Sequence, residues 1–318
     1  MTFSSSPEQG SHLSQVTKLV ERADRLQRRV TPLGFLWGVF KKASDDRVGS
    51  LAALFAYYAL FAIFPLLLVL VAVLGVVLSG DPALRGQIVN SALGNFPIIG
   101  EQLRKNVHSL AGTGVGLSVS TLVILFGARG LASAAQRALN DLYYVPKSRR
   151  AGFPIVLGIY VLWTVVVGVG TTLSTAVLGA TGIFGFGSYP IALVLDLVVF
   201  LGAHRLLVGK AVSFRDLWLG AILGGVGWEI LQIFGSLIIR SRLAHASPVY
   251  GFFGIVIGLL AWVYLAAYIT LLGVEVDLVW RRQLWPRALA GPDETDASRR
   301  LYQMQRRMLE DDLEGTNN

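Results

Sequence analysis

Residues 151–195 read AGFPIVLGIYVLWTVVVGVGTTLSTAVLGATGIFGFGSYPIALVL, 45 positions without a charged side chain. A helix crosses the ~30 Å hydrocarbon layer of a bilayer in ~20 residues. The run is therefore too long for one crossing, and the Gly-rich segment GATGIFGFGSYP at 179–190, closing on Pro190, supplies the turn that divides it in two. The same reading extends in both directions. Arg47 and Asp81 bracket 33 uncharged residues, expected to form one long span kinked at Pro65. A Gly- and Ser-rich apolar stretch from Val107 to Ala128 continues with helical periodicity through Leu131, Ala135 and Leu139. Trp218 to Ile239 and Val249 to Val274 complete the set.

The composition agrees with this pattern. Of 318 residues, 53% are hydrophobic and only 48 are charged, 28 Lys+Arg and 20 Asp+Glu, where a soluble chain of this length carries ~80. Residues 1–48 and 281–318 hold 27 of those charges, leaving 21 for the 232 residues between them. A soluble enzyme is excluded, because the middle of the chain cannot supply a polar surface. The expected fold is all-α, an integral membrane bundle of six transmembrane helices spanning about 49–79, 110–132, 152–178, 189–208, 217–239 and 249–277. It is framed by a cytoplasmic N-terminal tail (1–48), a membrane domain (49–280) and a charged cytoplasmic tail (281–318).

Basic residues concentrate on the cytoplasmic side of a membrane protein. The N-terminal tail, residues 129–150, residues 205–215 and the C-terminal tail hold 23 Lys and Arg, and the intervening segments hold 5. That split calls for an even number of spans with both termini in the cytoplasm. It also accounts for most of the +8 net charge, so nucleic acid is not an expected partner. The polar start of the chain leads us to expect no signal peptide, with the first span acting as the insertion signal.

Within the tails, Leu13, Val16, Val20, Ala23 and Val30 share a helical face surrounded by Lys18, Arg22, Arg25 and Arg29. This basic amphipathic helix either lies on the anionic inner leaflet or is a solvated lead-in to span one. Ser44, Asp45 and Asp46 resemble an N-cap with an acidic first turn. The outer loop from Gly80 to about Ala111 is expected to form short interfacial helices. The C-terminal tail is expected to be disordered or weakly helical, with one short helix from Ser298 to Leu313.

An ionisable residue near the bilayer centre costs roughly 2.5–3.5 kcal/mol, so each one needs an explanation. At 1.5 Å per residue, Glu229 falls ~16 Å and Asp196 ~10 Å from the outer ends of their spans, facing one interior volume. Arg129, Glu275 and Asp277 approach the cytoplasmic boundary, where Arg129 is positioned to pair with the acids. Arg129, Asp196, Glu229 and Glu275 are the candidate pathway or gate residues. Gly112, Gly116 and Ser120, Gly220 and Gly224, and Gly254 and Gly258 are spaced for close helix packing. Trp37, Tyr189, Tyr250, Trp280 and Trp285 fit interfacial belt positions.

The chain has no Cys, and His12, His108, His204 and His245 are scattered. No HExxH, GxSxG, P-loop or dinucleotide motif appears, so catalytic residues, metal ligands and cofactors are all assigned as none, and no ATPase of its own is expected.

Three stretches together resemble the YihY/BrkB bacterial inner-membrane proteins, a family formerly mislabelled ribonuclease BN. The first is LAALFAYYALFAIFPLLLVL, with Ala56, Tyr57, Tyr58, Phe61 and Pro65. The second is ARGLASAAQRALNDLYYVPKSRR, with Arg129, Gly130, Asn140, Val145 and Pro146. The third is YGFFGIVIGLLAWVYLAAYITLLGVEV, with Tyr250, Gly251, Gly254, Trp262, Tyr264, Gly273 and Glu275. The resemblance implies a six-helix protein of the bacterial plasma (inner) membrane. It brings a virulence-factor name, an association with transport or handling of envelope lipids, and no settled activity. The leading expectation is movement of a lipid or other amphiphile, with membrane lipids as partners. A scaffold organising envelope partners is the alternative, and a membrane-bound enzyme the least favoured. A homo-oligomer is open, and protein partners are unknown.

Overall fold

The computed structural model describes Asp24, Gln27 and residues 30–61, 129–152, 155–179, 187–242, 251–289 and 295–316. These residues form eight helices and no strand. In order they are α1 (Thr31–Asp45), α2 (Val48–Phe61), α3 (129–142), α4 (Ile155–Gly179), α5 (Ser188–Val208), α6 (Trp218–Arg242), α7 (Gly251–Arg282) and α8 (Asp296–Thr316). Pro65, Tyr250, the first part of the second expected span, the outer loop and most of the N-terminal basic helix lie outside the described residues.

The helices turn large apolar side chains outward and bury polar ones within an otherwise apolar core. On α4, Val161, Val165, Val169 and Leu173 recur every fourth residue and are exposed, whereas Tyr160, Trp163 and Ser174 are buried. On α5, Val194 and Val198 point outward while Asp196 and His204 are buried. A protein folding against water places its large apolar side chains the other way round. By length and composition, Ser188–Val208 and Val256–Arg282 are each sufficient to cross a membrane, and Val48–Phe61 and Ile155–Thr171 form shorter apolar helices.

Helices α4, α5, α6 and α7 pack in sequence order, and α1 packs against α7. At Gly273 the α6 and α7 backbones approach each other directly. A Cβ there would lie 3.1 Å from the Gly220 carbonyl oxygen and 3.2 Å from the Gly224 nitrogen, so backbone meets backbone. Another close approach joins two separate motifs, since a Cβ on Gly130 of α3 would lie 2.6 Å from the Tyr58 ring of α2.

The α3 helix ends in an elbow. Asn140 is buried, gives its side-chain amide to the Gln136 carbonyl (2.8 Å), and accepts the Val145 backbone N–H on its own carbonyl (2.8 Å). Pro146, itself buried, then opens a short turn at Lys147–Arg149. α5 stops at Gly209, whose φ of 63° suits glycine. The Arg205 guanidinium covers the freed carbonyls of Gly209 (2.5 Å) and Val212 (2.8 Å).

The C-terminal tail carries the helix expected from Ser298 to Leu313, extended at both ends to the 21 residues of α8 and docked rather than loose. Ala297, Ser298 and Leu301 are buried, Asp312 accepts the Lys147 backbone N–H at 2.6 Å, and Asp311 pairs with Arg149 at 3.0 Å. Tertiary docking orders a segment whose low hydrophobicity would leave it weakly helical on its own.

Candidate functional site

The described residues hold two buried polar centres. The first sits where α1, α3 and α7 meet. Along α1, Gly34, Gly38 and Lys42 repeat every fourth residue, so one face is nearly bare and ends in an ammonium. That bare face admits the strap after α7: a Cβ on Gly38 would lie 3.0 Å from the Trp285 Cβ and 3.2 Å from the Leu284 oxygen. Lys42 is thereby carried against α7. It donates to Glu275 Oε2 and to Asp46 Oδ2, each at 2.6 Å, and lies 5.2 Å from the centroid of the Tyr144 ring. Lys42 and Glu275 are both 0% exposed. The Tyr144 hydroxyl donates to Asp46 at 3.2 Å, closing the cluster.

Burial opposes the Lys42 charge, but the Glu275 and Asp46 carboxylates outweigh it and hold the ammonium above its ordinary pKa. Burial pushes the Tyr144 hydroxyl up to about 12, against the pull of Lys42. Around this core, Arg287 pairs with Asp45 at 2.8 Å, Lys41 donates to the Ala288 carbonyl at 2.7 Å, and Gln27 donates to the Arg287 carbonyl at 2.6 Å. Gln27, ahead of α1, is thus tied to the strap, and α1 itself to both α7 and the strap that follows it.

These pairings correct two expectations. Glu275 pairs with Lys42, and Asp277 with Arg281, whereas Arg129 is exposed at the start of the described part of α3. The Asp46 carboxylate goes to Lys42 and Tyr144, at a junction where α1 ends and Arg47 takes a φ of 53°. Arg281 also reaches Asp216 at 3.5 Å and lies 5.7 Å from the Trp218 ring. Arg281 and Asp216 border a cavity of about 110 Å³ that Tyr143 and, from α8, Met304 help to line.

The second centre lies inside the bundle. Asp196 of α5 and Glu229 of α6 face each other where these helices pack, and Ser174 of α4 adjoins Asp196. Close approach at Gly225, one turn before Glu229, makes this possible: a Cβ there would lie 3.0 Å from Leu197 Cδ2 and 3.6 Å from the Asp196 carbonyl carbon. Asp196 is 0% exposed and Glu229 8%. None of their four carboxylate oxygens makes a hydrogen bond of ordinary geometry. The Ser174 hydroxyl is spent on the Ala192 carbonyl at 3.3 Å. No Lys or Arg pairs with either acid among the described residues.

The remaining motif residues are structural in their contacts. Tyr57 is exposed and packs edge-on against Tyr58 and Phe61, Gly130 receives Tyr58, Asn140 and Pro146 form the elbow, and Gly273 forms the α6–α7 contact. Gly251 and Gly254 lie in the first turns of α7. Sequence reasoning missed Lys42 and Ser174. The i, i+4, i+8 spacing of Gly34, Gly38 and Lys42 is the signal that pointed to a buried lysine; nothing in the sequence singles out Ser174.

The sequence model of the family described as "Virulence factor BrkB" matches residues 39–297. The chain is 29% identical over 193 residues to "Putative ribonuclease-like protein YfkH" of Bacillus subtilis (strain 168), covering 54% of this chain and 68% of that protein. It is 27% identical over 227 residues to a UPF0761 membrane protein of Psychrobacter sp. (strain PRwf-1), covering 65% of this chain but 42% of that longer one. A UPF0761 membrane protein of Aliivibrio salmonicida (strain LFI1238) is 25% identical over 224 residues, with 65% and 71% covered. No solved structure matches.

Proposed function

Because the chain belongs to the virulence factor BrkB family of membrane proteins, we propose that it moves or accommodates a lipid or other amphiphile of the cell envelope, with no ATPase of its own. The observation that carries this reading is the Asp196–Glu229 pair, buried between helices whose outer faces are apolar. Buried acids inside a membrane bundle are costly to keep, and they mark pathways and relays. Six spans, both termini in the cytoplasm and residence in the bacterial inner membrane belong to the same proposal, supported by the 23 to 5 division of basic residues. The Lys42–Glu275 cluster then lies at the cytoplasmic end, fixing α1 to α7 beneath the pathway. No nuclease chemistry is part of this reading; the ribonuclease-like name belongs to the Bacillus relative.

Reconstitution into liposomes with fluorescent phospholipid tests it. The wild type is expected to expose inner-leaflet probe to an external quencher faster than protein-free liposomes, and Asp196→Asn/Glu229→Gln to lose most of that gain. Equal rates for wild type and variant remove the pair from the mechanism.

A second reading, a scaffold for envelope partners, draws on α8. Tyr302, Leu309 and Leu313 lie along one side of this helix and are 59%, 57% and 68% exposed. Deleting residues 290–318 separates the two readings, since a transporter keeps most of its lipid movement and a scaffold loses its partners.

A further inference from the structure

We infer that Asp196 and Glu229 form a binding site for one monovalent cation, a proton or Na⁺, between α5 and α6. The inference deepens the lipid-handling reading and rests on it, supplying the ion whose gradient would drive movement in a chain without a nucleotide site.

The argument starts from charge. Two carboxylates set within reach of each other in a water-poor interior repel, and each loses its hydration. Proteins retain such groups when a partner compensates them. Around this pair the ordinary compensation is absent among the described residues. α4 contributes Ser174, whose hydroxyl already serves the Ala192 carbonyl. α7 meets α6 near the pair through Ile269 and Thr270, neither of which is charged, and the Thr270 hydroxyl is returned to the Ala266 carbonyl at 2.8 Å. On α5 the nearest titratable groups along the helix are Tyr189 and His204, each about two turns from Asp196, with His204 Nδ1 on the Phe200 carbonyl at 2.7 Å. Four buried carboxylate oxygens therefore stand between α5 and α6 without a hydrogen bond of ordinary geometry, with Ser174 the neighbouring hydroxyl and no positive charge supplied by the described residues.

A small cation satisfies that arrangement. A proton shared between the carboxyls removes one charge and gives one oxygen a donor. Na⁺ is a hard cation that takes oxygen ligands, and carboxylate oxygens together with the Ser174 hydroxyl oxygen are donors of the kind it takes. A divalent metal is the poorer fit, because no group of three or more His, Cys, Asp or Glu converges among the described residues. The site also sits at a helix–helix contact: Asp196 and Glu229 belong to different helices, which approach closely at Gly225. Loss of the cation leaves two like charges facing each other and favours separation of α5 from α6, which is how occupancy would be coupled to opening of the bundle.

The test uses the full-length protein in native membranes and in liposomes. Dicyclohexylcarbodiimide, an apolar reagent that modifies protonated carboxyls, is applied between pH 5 and pH 9, and the modified residue is located by mass spectrometry. Equilibrium binding of radioactive Na⁺ to the purified chain is measured in parallel. Modification at Asp196 or Glu229 that fades with rising pH identifies a proton site. Protection from modification by Na⁺ but not by choline, or saturable Na⁺ binding lost in Glu229→Gln, identifies a Na⁺ site. A wild-type chain that is unmodified at both positions throughout the pH range and also binds no Na⁺ overturns the inference, and this outcome requires no variant to fold. Lipid movement without a cation site leaves the lipid-handling reading standing; a cation site without lipid movement leaves the site standing and removes that reading.

Discussion

Lys42 donates a 2.6 Å hydrogen bond to Glu275 across 233 positions of sequence, and neither side chain is exposed. The contact pins a helix that precedes the bundle to the end of α7. Removing one partner of a buried pair leaves the other charge uncompensated, a loss of about 3–5 kcal/mol. Lys42→Met is expected to lower the melting temperature strongly, and Lys42→Met/Glu275→Met to recover part of the loss. A double variant no more stable than Lys42→Met would show that the pair is not coupled.

The same cluster sets an alkaline limit. Lys42 and Tyr144 both have folded-state pKa values above their ordinary ones, Tyr144 at about 12. Their stabilising contributions are therefore complete below ~10, the unfolded range for both groups, and fade as pH rises through the folded values. Thermal stability is expected to fall above about pH 10, and less steeply in Tyr144→Phe, which lacks the titrating hydroxyl. An identical slope in that variant would contradict the assignment.

At Gly273 any side chain meets the α6 backbone at Gly220 and Gly224. Gly273→Val is expected to cost about 1–3 kcal/mol as the helices are forced apart, read as a lower midpoint in thermal melts of detergent-solubilised protein. Gly152, with open space around its Cβ position, is the control: Gly152→Ala should leave the midpoint nearly unchanged.

α8 is held at its far end by Asp312 on the Lys147 backbone N–H and by Asp311 on Arg149. Asp312→Ala is expected to cost about 0.5–1.5 kcal/mol of docking and to speed tryptic cleavage between Arg299 and Arg307 several-fold. An unchanged cleavage rate would indicate that the helix is held elsewhere.

How much of this was legible in the sequence depends on whether a feature is local. Helical character follows from charge-free apolar runs, and family membership from motifs read in order along the chain. The Asp196–Glu229 juxtaposition was within reach because each acid stands alone in an apolar run at a countable depth. The partner of Glu275 was not, since charge position alone favoured Arg129, while the glycine face of α1 delivers Lys42 instead. For α8 the helix was legible from Ser298 to Leu313 but its docking was not: buried Ala297, Ser298 and Leu301 and two aspartates reaching the elbow are contacts that no local pattern encodes.

The central claim is that α5 and α6 lie across a bilayer with their acids between its faces. The chain has no cysteine, so single cysteines report their own side of the membrane without background. Ser148, Tyr189 and Arg299 are exposed positions in the elbow, at the start of α5 and on α8. In intact spheroplasts an impermeant maleimide is expected to label Tyr189→Cys, and to label Ser148→Cys and Arg299→Cys only after permeabilisation. Labelling of Ser148→Cys and Tyr189→Cys from the same side would contradict the account.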